Sequence, residues 1–301
     1  MQSGIAIITE SAEHHFLTTL ENIKANPQGW MALHFAFSKK TSHSDLIKSL
    51  KTIRGKTGEA RKKSENFLQQ LAQKLPSSRQ GFVYLFCDND IVVLISTEKE
   101  EERALINSIY KDIAKTLKPG LSEAGSILHE IYNYQKLADQ KILSAQRFKA
   151  YHLMGDINKT SSLVVRRKRR ENPQVMIVED DRFTASYTAN IIGREYEVVL
   201  CRNGEDAIIG YIENAPDIVF LDIHLPGLSG YETLKAINAI DRGAFVVMLS
   251  VDTVKDSIVA AARGGARNFL KKPFNHERLL NIVKTSPHVR ACNHPKGESL
   301  H

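Results

Sequence analysis

The chain has 301 residues, 42% of them hydrophobic, and a formal net charge of +7; it is too long for one compact core, which implies about two domains plus a linker, and apolar enough to fill ordinary globular cores. No uncharged apolar run approaches the roughly 18 residues that cross a bilayer, and the start MQSGIAIITE lacks a basic leader, so neither a membrane span nor a secretory signal is expected. The three cysteines, Cys87, Cys201 and Cys292, are odd in number and unpaired with histidines at metal spacing, a usage that fits a reduced cytoplasm.

In chain order, Trp30–Phe37 reads as a strand and Glu59–Leu75 as a helix ended by Pro76. Gly81–Cys87 and Ile91–Ser96 are apolar, β-branched and aromatic runs joined by the turn residues Asp88-Asn89-Asp90, which predicts a β-hairpin. Glu98–Leu117 follows as a helix, with Leu105, Ile109 and Ile113 at helical spacing and a stop at Lys118-Pro119-Gly120. Strand, helix, hairpin and helix predict an α+β, ferredoxin-like half-sandwich over residues 1–120. That order is faintly similar to the nucleotide-cyclase palm of diguanylate cyclases, where the hairpin carries a Gly-Gly-Asp-Glu-Phe signature. Here the turn is Cys87-Asp88-Asn89-Asp90, with no glycine pair, and this speaks against cyclase chemistry. Asp88 and Asp90 could bind a cation; solvated turn residues are the plainer expectation.

Residues 121–172 read as a helical and basic linker. Over 121–160 the pattern is mostly helical, with Ile127, Ile131, Leu137 and Phe148 among the apolar positions and no sustained heptad. The run Arg166-Arg167-Lys168-Arg169-Arg170 precedes Pro173. Like charges in sequence repel, and a solvated linker is expected there; contact with nucleic acid or an anionic surface is the alternative. Residues 172–286 hold 12 Lys and Arg against 15 Asp and Glu, a net of −3, which leaves +9 for residues 1–171 and +1 for the tail. This asymmetry suggests separate tasks or a docking surface between the halves. No helix-turn-helix, Walker or Rossmann glycine signature stands out.

After Pro173 the pattern changes. Val175–Val178, Glu197–Leu200, Asp217–Leu221, Phe245–Leu249 and Arg267–Leu270 are short apolar runs, the pattern of strands buried on both faces. Helical stretches at 182–192, 204–213, 230–239, 253–263 and 276–284 alternate with them. Five alternations predict an α/β, doubly wound five-stranded parallel sheet of flavodoxin-like order over 173–286, its site at the carboxyl ends of the strands. Residues 287–301 are expected to be a flexible tail.

Polar residues gather at those ends: Glu179-Asp180-Asp181 after the first strand, Asp222 after the third, Ser250 after the fourth, Lys271-Lys272-Pro273 after the fifth. Several carboxylates together call for a hard cation, and Mg²⁺ binds through few carboxylates while keeping waters and phosphate oxygens as ligands. A carboxylate can attack phosphorus to give an acyl phosphate, with Lys272 supplying charge and Ser250 a hydroxyl to its oxygens.

MIVEDD, NGEDAI, PDIVFLDIHLPGLSGYE, VVMLS and GARNFLKKPF, in that order, resemble the response-regulator receiver family of two-component signalling. The resemblance implies that Asp222 is the phosphorylated residue and that Asp180 binds Mg²⁺ directly. Glu179 would act in the same acidic pair, through a metal-bound water, and the backbone carbonyl of His224 would complete the metal site. Ser250 would hydrogen-bond the phosphoryl group, Lys272 would pair with it, and Phe269 stands where the family has an aromatic switch residue. Two departures stand out: Val251 replaces a small residue and could crowd Asp222, and Phe269 lacks a tyrosine hydroxyl. Gly227 and Gly230 are read as parts of a tight turn.

The family implies a cytoplasmic regulator that accepts its phosphoryl group from a sensor histidine kinase or a histidine phosphotransfer protein. The leading expectation gives the N-terminal domain a protein-binding output, with dimerisation open. A DNA-binding regulator using the basic portion, and an enzyme with an unrecognised N-terminal site, are the competing expectations.

Overall fold

The computed structural model describes residues 4–25, 27, 29–37, 50–76, 79–97, 99–116, 122–251, 259 and 261–292. It divides into two compact units, Met1–Phe148 and Lys149–His301.

In the first unit the strands are β1 (Ile5–Ile8), β2 (Trp30–Phe35), β3 (Gly81–Leu85), β4 (Ile91–Ser96) and β5 (Ser122–Ser126). Its helices are α1 (Ala12–Lys24), α2 (Leu50–Lys74), α3 (Glu100–Thr116) and α4 (Ile127–Met154), the last running past the division. The strands stand in the order β1-β3-β4-β2-β5. All neighbours are antiparallel except β1, which adds parallel to β3. The predicted hairpin is present, its turn carrying Asn89 at φ 72°. Alternation along the strands sorts the core by face. Leu33, Phe35, Val83 and Val93 pack with Leu68 and Leu71 of α2 and Ile106 of α3. Ala32, Tyr84, Val92 and Leu94 pack with Phe16 and Leu20 of α1 and Ala138 of α4.

The helical reading of Glu98–Leu117 chose the wrong register at one position. Leu105 is 54% exposed and Ile106, one residue on, fills the core. Residues 121–160 are mostly helical, as expected, over Ile127–Met154 and Ile157–Ser161, and Ser122–Ser126 pairs with β2 as an edge strand.

The second unit opens with two short helices, α5 (Ile157–Ser161) and α6 (Leu163–Arg169). Strands β6 (Gln174–Val178), β7 (Glu197–Cys201), β8 (Ile218–Asp222), β9 (Val246–Ser250) and β10 (Asn268–Lys271) follow. They alternate with α7 (Arg182–Ile192), α8 (Gly204–Asn214), α9 (Gly230–Ile240), α10 (His276–Val283) and α11 (Pro287–Cys292). The predicted helix at 253–263 falls largely outside the described residues. The sheet is all parallel in the order β10-β9-β8-β6-β7, the flavodoxin-like order. From β6 the chain goes outward to β7, then returns to β8 on the other side. The carboxyl ends of β6 and β8 therefore flank the topological switch point.

Strands β6, β8 and β9 are buried on both faces, which is why they read as unbroken apolar runs. Val175, Ile177, Phe220 and Val247 face Ile191, Ile192 of α7 and Leu279 of α10. Met176, Val178, Val219 and Met248 face α8 and α9, through Tyr211 and Leu234 among others. Side-chain caps start the helices that leave the strand ends. Asp181 accepts from Thr184 N at 2.8 Å, Asn203 from Asp206 N at 2.7 Å, and Ser229 and Glu232 form a capping box.

Two expectations about the flanks are corrected. The basic run is not a solvated linker: Arg166–Arg169 lie in α6, and Arg167 is 4% exposed. Arg167 donates to Pro216 O, Tyr211 Oη and Asp241 Oδ2; Arg166 donates to Glu213 O and Ile212 O; Arg170 donates to Ala215 O and Asp217 Oδ2. The carbonyls that end α8 and two aspartates absorb the charges that repel one another in sequence. The tail is not flexible at its start, since Pro287–Cys292 is helical with Val289 fully buried. Just before it, Ser286 Oγ donates to Asp217 O at 2.7 Å.

Candidate functional site

Four strand ends, those of β6, β8, β9 and β10, deliver the predicted residues. Asp222 is the last residue of β8 and is 5% exposed. Its Oδ1 accepts the N–H of Ile223 at 2.8 Å. Gly230 explains how the following helix approaches so closely. A Cβ there would stand 2.1 Å from the carbonyl oxygen of Asp222, so the position excludes every side chain. The turn reading of Gly230 is thus replaced by a close-packing one: it is the first residue of α9, not part of a left-handed turn.

Glu179 follows β6, 2% exposed, and Asp180 beside it is exposed. One carboxylate oxygen from each of Glu179, Asp180 and Asp222 lies within 4.8 Å of the others. Lys272 reaches into this group, its Nζ 2.5 Å from Glu179 Oε2 and 3.1 Å from Asp222 Oδ1. The lysine is aligned by its backbone, because its N–H donates to Ser250 O at 2.8 Å. Ser250 itself ends β9 and is 1% exposed. Burial raises the pKa of Glu179; the Lys272 hydrogen bond opposes this, and the nearby Asp222 adds to it.

Three carboxylates and one ammonium leave the cluster with two negative charges in excess. A divalent hard cation fits that donor set, and Mg²⁺ needs only a few carboxylates. His224 is exposed on the loop after β8. Val251 is 63% exposed, so its branched side chain points largely into solvent. Phe269 is half-buried in β10 against the core that includes Met248, and it borders an open cleft of about 440 Å³ with Arg278, Asn281 and Thr285.

The family model for the response regulator receiver domain matches residues 175–284. Chemotaxis protein CheY of Listeria monocytogenes is 37% identical over 113 residues, 37% of this chain and 95% of that protein. The chain belongs to the response-regulator receiver family. CheY of Bacillus subtilis is 33% identical over 112 residues, 36% of this chain and 93% of its own length. The BeF3-activated DrrB receiver domain is 29% identical, covering 38% of this chain and 95% of that one, with a TM-score of 0.36. Receivers typically hold Mg²⁺ at their acidic pocket and interact with histidine kinases or phosphotransfer proteins.

In the first unit, the aspartates of the hairpin turn are paired within the fold, Asp90 buried and Asp88 half-buried. Lys141 of α4 is 5% exposed and donates to Asp88 Oδ2 at 2.8 Å and to Asp90 Oδ2. The turn acids are visible in the sequence; the lysine that pairs with both of them, more than fifty residues away, is not. Among the described residues, no helix is long and apolar enough to cross a membrane.

Proposed function

We propose that the chain is a two-component response regulator that accepts a phosphoryl group on Asp222 and carries its output through a protein-binding first unit. The observation that carries this reading is Lys272 Nζ set between Glu179 and Asp222 at three converging strand ends. A carboxylate oxygen of Asp222 attacks phosphorus as the P–N bond of a phosphohistidine donor breaks. The imidazole leaves and an acyl phosphate forms. Attack of water on phosphorus later returns the carboxylate and inorganic phosphate.

Glu179, Asp180, Asp222 and the backbone carbonyl of His224 would hold Mg²⁺. When bound, Mg²⁺ supplies charge to the phosphoryl oxygens in a phosphoryl transfer that is mostly positioning and electrostatics. Lys272 pairs with the same oxygens and moves off Glu179 to do so. Ser250 offers its hydroxyl to the phosphoryl group. Phe269 then repacks against the space that Ser250 vacates, a shift between two populations rather than a new fold.

A DNA-binding output through the basic run has less support, because Arg166, Arg167 and Arg170 are engaged with carbonyls and aspartates of their own unit. An N-terminal metal-dependent enzyme has less support for the same reason, since Lys141 sits on Asp88 and Asp90.

The test is phosphoryl incorporation from acetyl phosphate into the purified chain, with and without Mg²⁺. Labelling should need Mg²⁺ and vanish in Asp222→Asn. Undiminished labelling of folded Asp222→Asn would overturn the assignment.

A further inference from the structure

Glu205 is a buried carboxyl group that the phosphoryl chemistry does not use. It lies in the first turn of α8 and is 0% exposed. Burying such a group costs several kcal/mol unless partners repay it. Its Oε2 accepts the backbone N–H of Leu228 at 3.1 Å.

Leu228 belongs to the loop between β8 and α9, the segment that leaves the acceptor Asp222. Gly227 beside it has φ +77°, and a Cβ there would stand 2.5 Å from Glu205 Oε2. Only glycine allows the carboxyl group so close to the loop backbone. The near end of the loop is closed separately, by Gly230 N donating to Ile223 O at 2.9 Å. Ile223 and Leu228 are anchored in the core, whereas His224, Pro226 and Gly227 are exposed. The exposed arc therefore has one anchor at Asp222–Ile223 and another at Leu228, and Glu205 reaches the second from a different helix.

We propose that Glu205 is a positioning residue for the divalent cation. By gripping Leu228 and Gly227 it fixes the arc on which His224 stands, so that the His224 backbone is presented to the cation beside Asp222. This rests on the Asp222 site as read under the proposed function.

The test is calorimetric titration of the full chain with Mg²⁺, alongside thermal unfolding, for wild type, Glu205→Met and Glu205→Gln. Glu205→Met keeps the length of the side chain and removes the acceptor; we expect its Mg²⁺ affinity to fall about tenfold. Glu205→Gln keeps an oxygen for Leu228 N–H, and we expect it to stay within about twofold of wild type. A merely structural role would lower the melting temperature of Glu205→Met and leave its Mg²⁺ affinity unchanged, and that outcome overturns the proposal. Should Glu205→Met fail to fold, Gly227→Ala disturbs the same contact from the loop side. It must then show the same loss of affinity, and unchanged binding overturns the proposal. Failure of the wild type to bind Mg²⁺ would sink the site itself, whereas normal wild-type binding with unaffected variants sinks only the role of Glu205.

Discussion

Arg167 and Asp241 form a buried ion pair, Nη2 to Oδ2 at 2.7 Å, with side chains 4% and 5% exposed. Tyr211 Oη donates to the same oxygen at 2.8 Å. The pair joins the helix that precedes the sheet to the end of α9, so the receiver unit begins before its first strand. Removing one partner of such a pair leaves an uncompensated buried charge. Arg167→Met should therefore destabilise the second unit by about 3 kcal/mol. Adding Asp241→Asn to Arg167→Met should cost less than Asp241→Asn alone, because neighbours in one network are not additive. Urea unfolding followed by circular dichroism measures both. Equal midpoints for wild type and Arg167→Met would show that the Arg167–Asp241 pair contributes no net stability.

The same pair predicts a pH dependence. Burial works to raise the Asp241 pKa, but the hydrogen bonds from Arg167 and Tyr211 outweigh it and hold the group below its usual range. A carboxylate depressed in the folded state adds stability above its unfolded pKa and loses it as pH falls through the folded value. In Arg167→Met the buried Asp241 has lost the guanidinium that opposes burial, so it takes up a proton more readily than in wild type. The stability gap between the two proteins should thus narrow steadily as pH falls through the acid range, first because the variant's Asp241 is protonated and then because the wild-type pair is lost. Unfolding curves at several pH values check this, and a gap that widens in acid would contradict the sign.

What the sequence made legible follows from which forces act locally. β6, β8 and β9 are buried on both faces, so their apolar runs are unbroken and their ends mark Glu179, Asp222 and Ser250. β5 has the sequence Ser-Glu-Ala-Gly-Ser, with no β-branched residue, and exists through its pairing with β2. β1 is short and half-exposed, and among the described residues it pairs with β3 alone. α1 carries Phe16, Leu20 and Ile23 at helical spacing, yet His14, His15, Thr18 and Thr19 are weak helix formers and blur the pattern. The basic run was misread because its partners lie 44 to 74 residues away, and a rule about neighbouring charges cannot see them. Glu205 was hidden likewise, since nothing in NGEDAI shows that one of its acids meets a loop backbone.

Lys272 Nζ lies against both Glu179 and Asp222 and offsets part of their charge. Lys272→Met should lower the melting temperature in Mg²⁺-free buffer by several degrees, as about 1–2 kcal/mol does in a domain of this size. Saturating Mg²⁺ should raise the variant's melting temperature more than the wild type's, because a ligand of the folded state stabilises most where the site lacks its internal cation. Differential scanning calorimetry with and without Mg²⁺ gives the two increments. An equal increment in both proteins would mean that Lys272 and Mg²⁺ do not share the task. Under the proposed function, phosphoryl incorporation should fall in the same variant, since the cation proposed to pair with the phosphoryl oxygens is gone.

Lys141 is the first unit's counterpart, an ammonium buried between Asp88 and Asp90. Burial works to lower its pKa, but the two aspartates outweigh it and raise the value. Asp90 also accepts Phe37 N–H at 2.7 Å, so the cluster ties the hairpin turn to the end of β2. Lys141→Met removes the cation and leaves two carboxylates facing each other in a site with little solvent. It should cost about 3 kcal/mol in the first unit, and adding Asp88→Asn should recover part of the loss. Trp30, the only tryptophan of the chain, lies in this unit and stacks on Phe82 at 6.5 Å between ring centroids. Its fluorescence therefore follows the unfolding of this unit alone. Phosphoryl labelling of Asp222 should be unchanged in Lys141→Met under conditions where both units stay folded. A Trp30 transition that does not move would show that the cluster is an ornament of the turn, and would reopen Asp88 and Asp90 to an external cation.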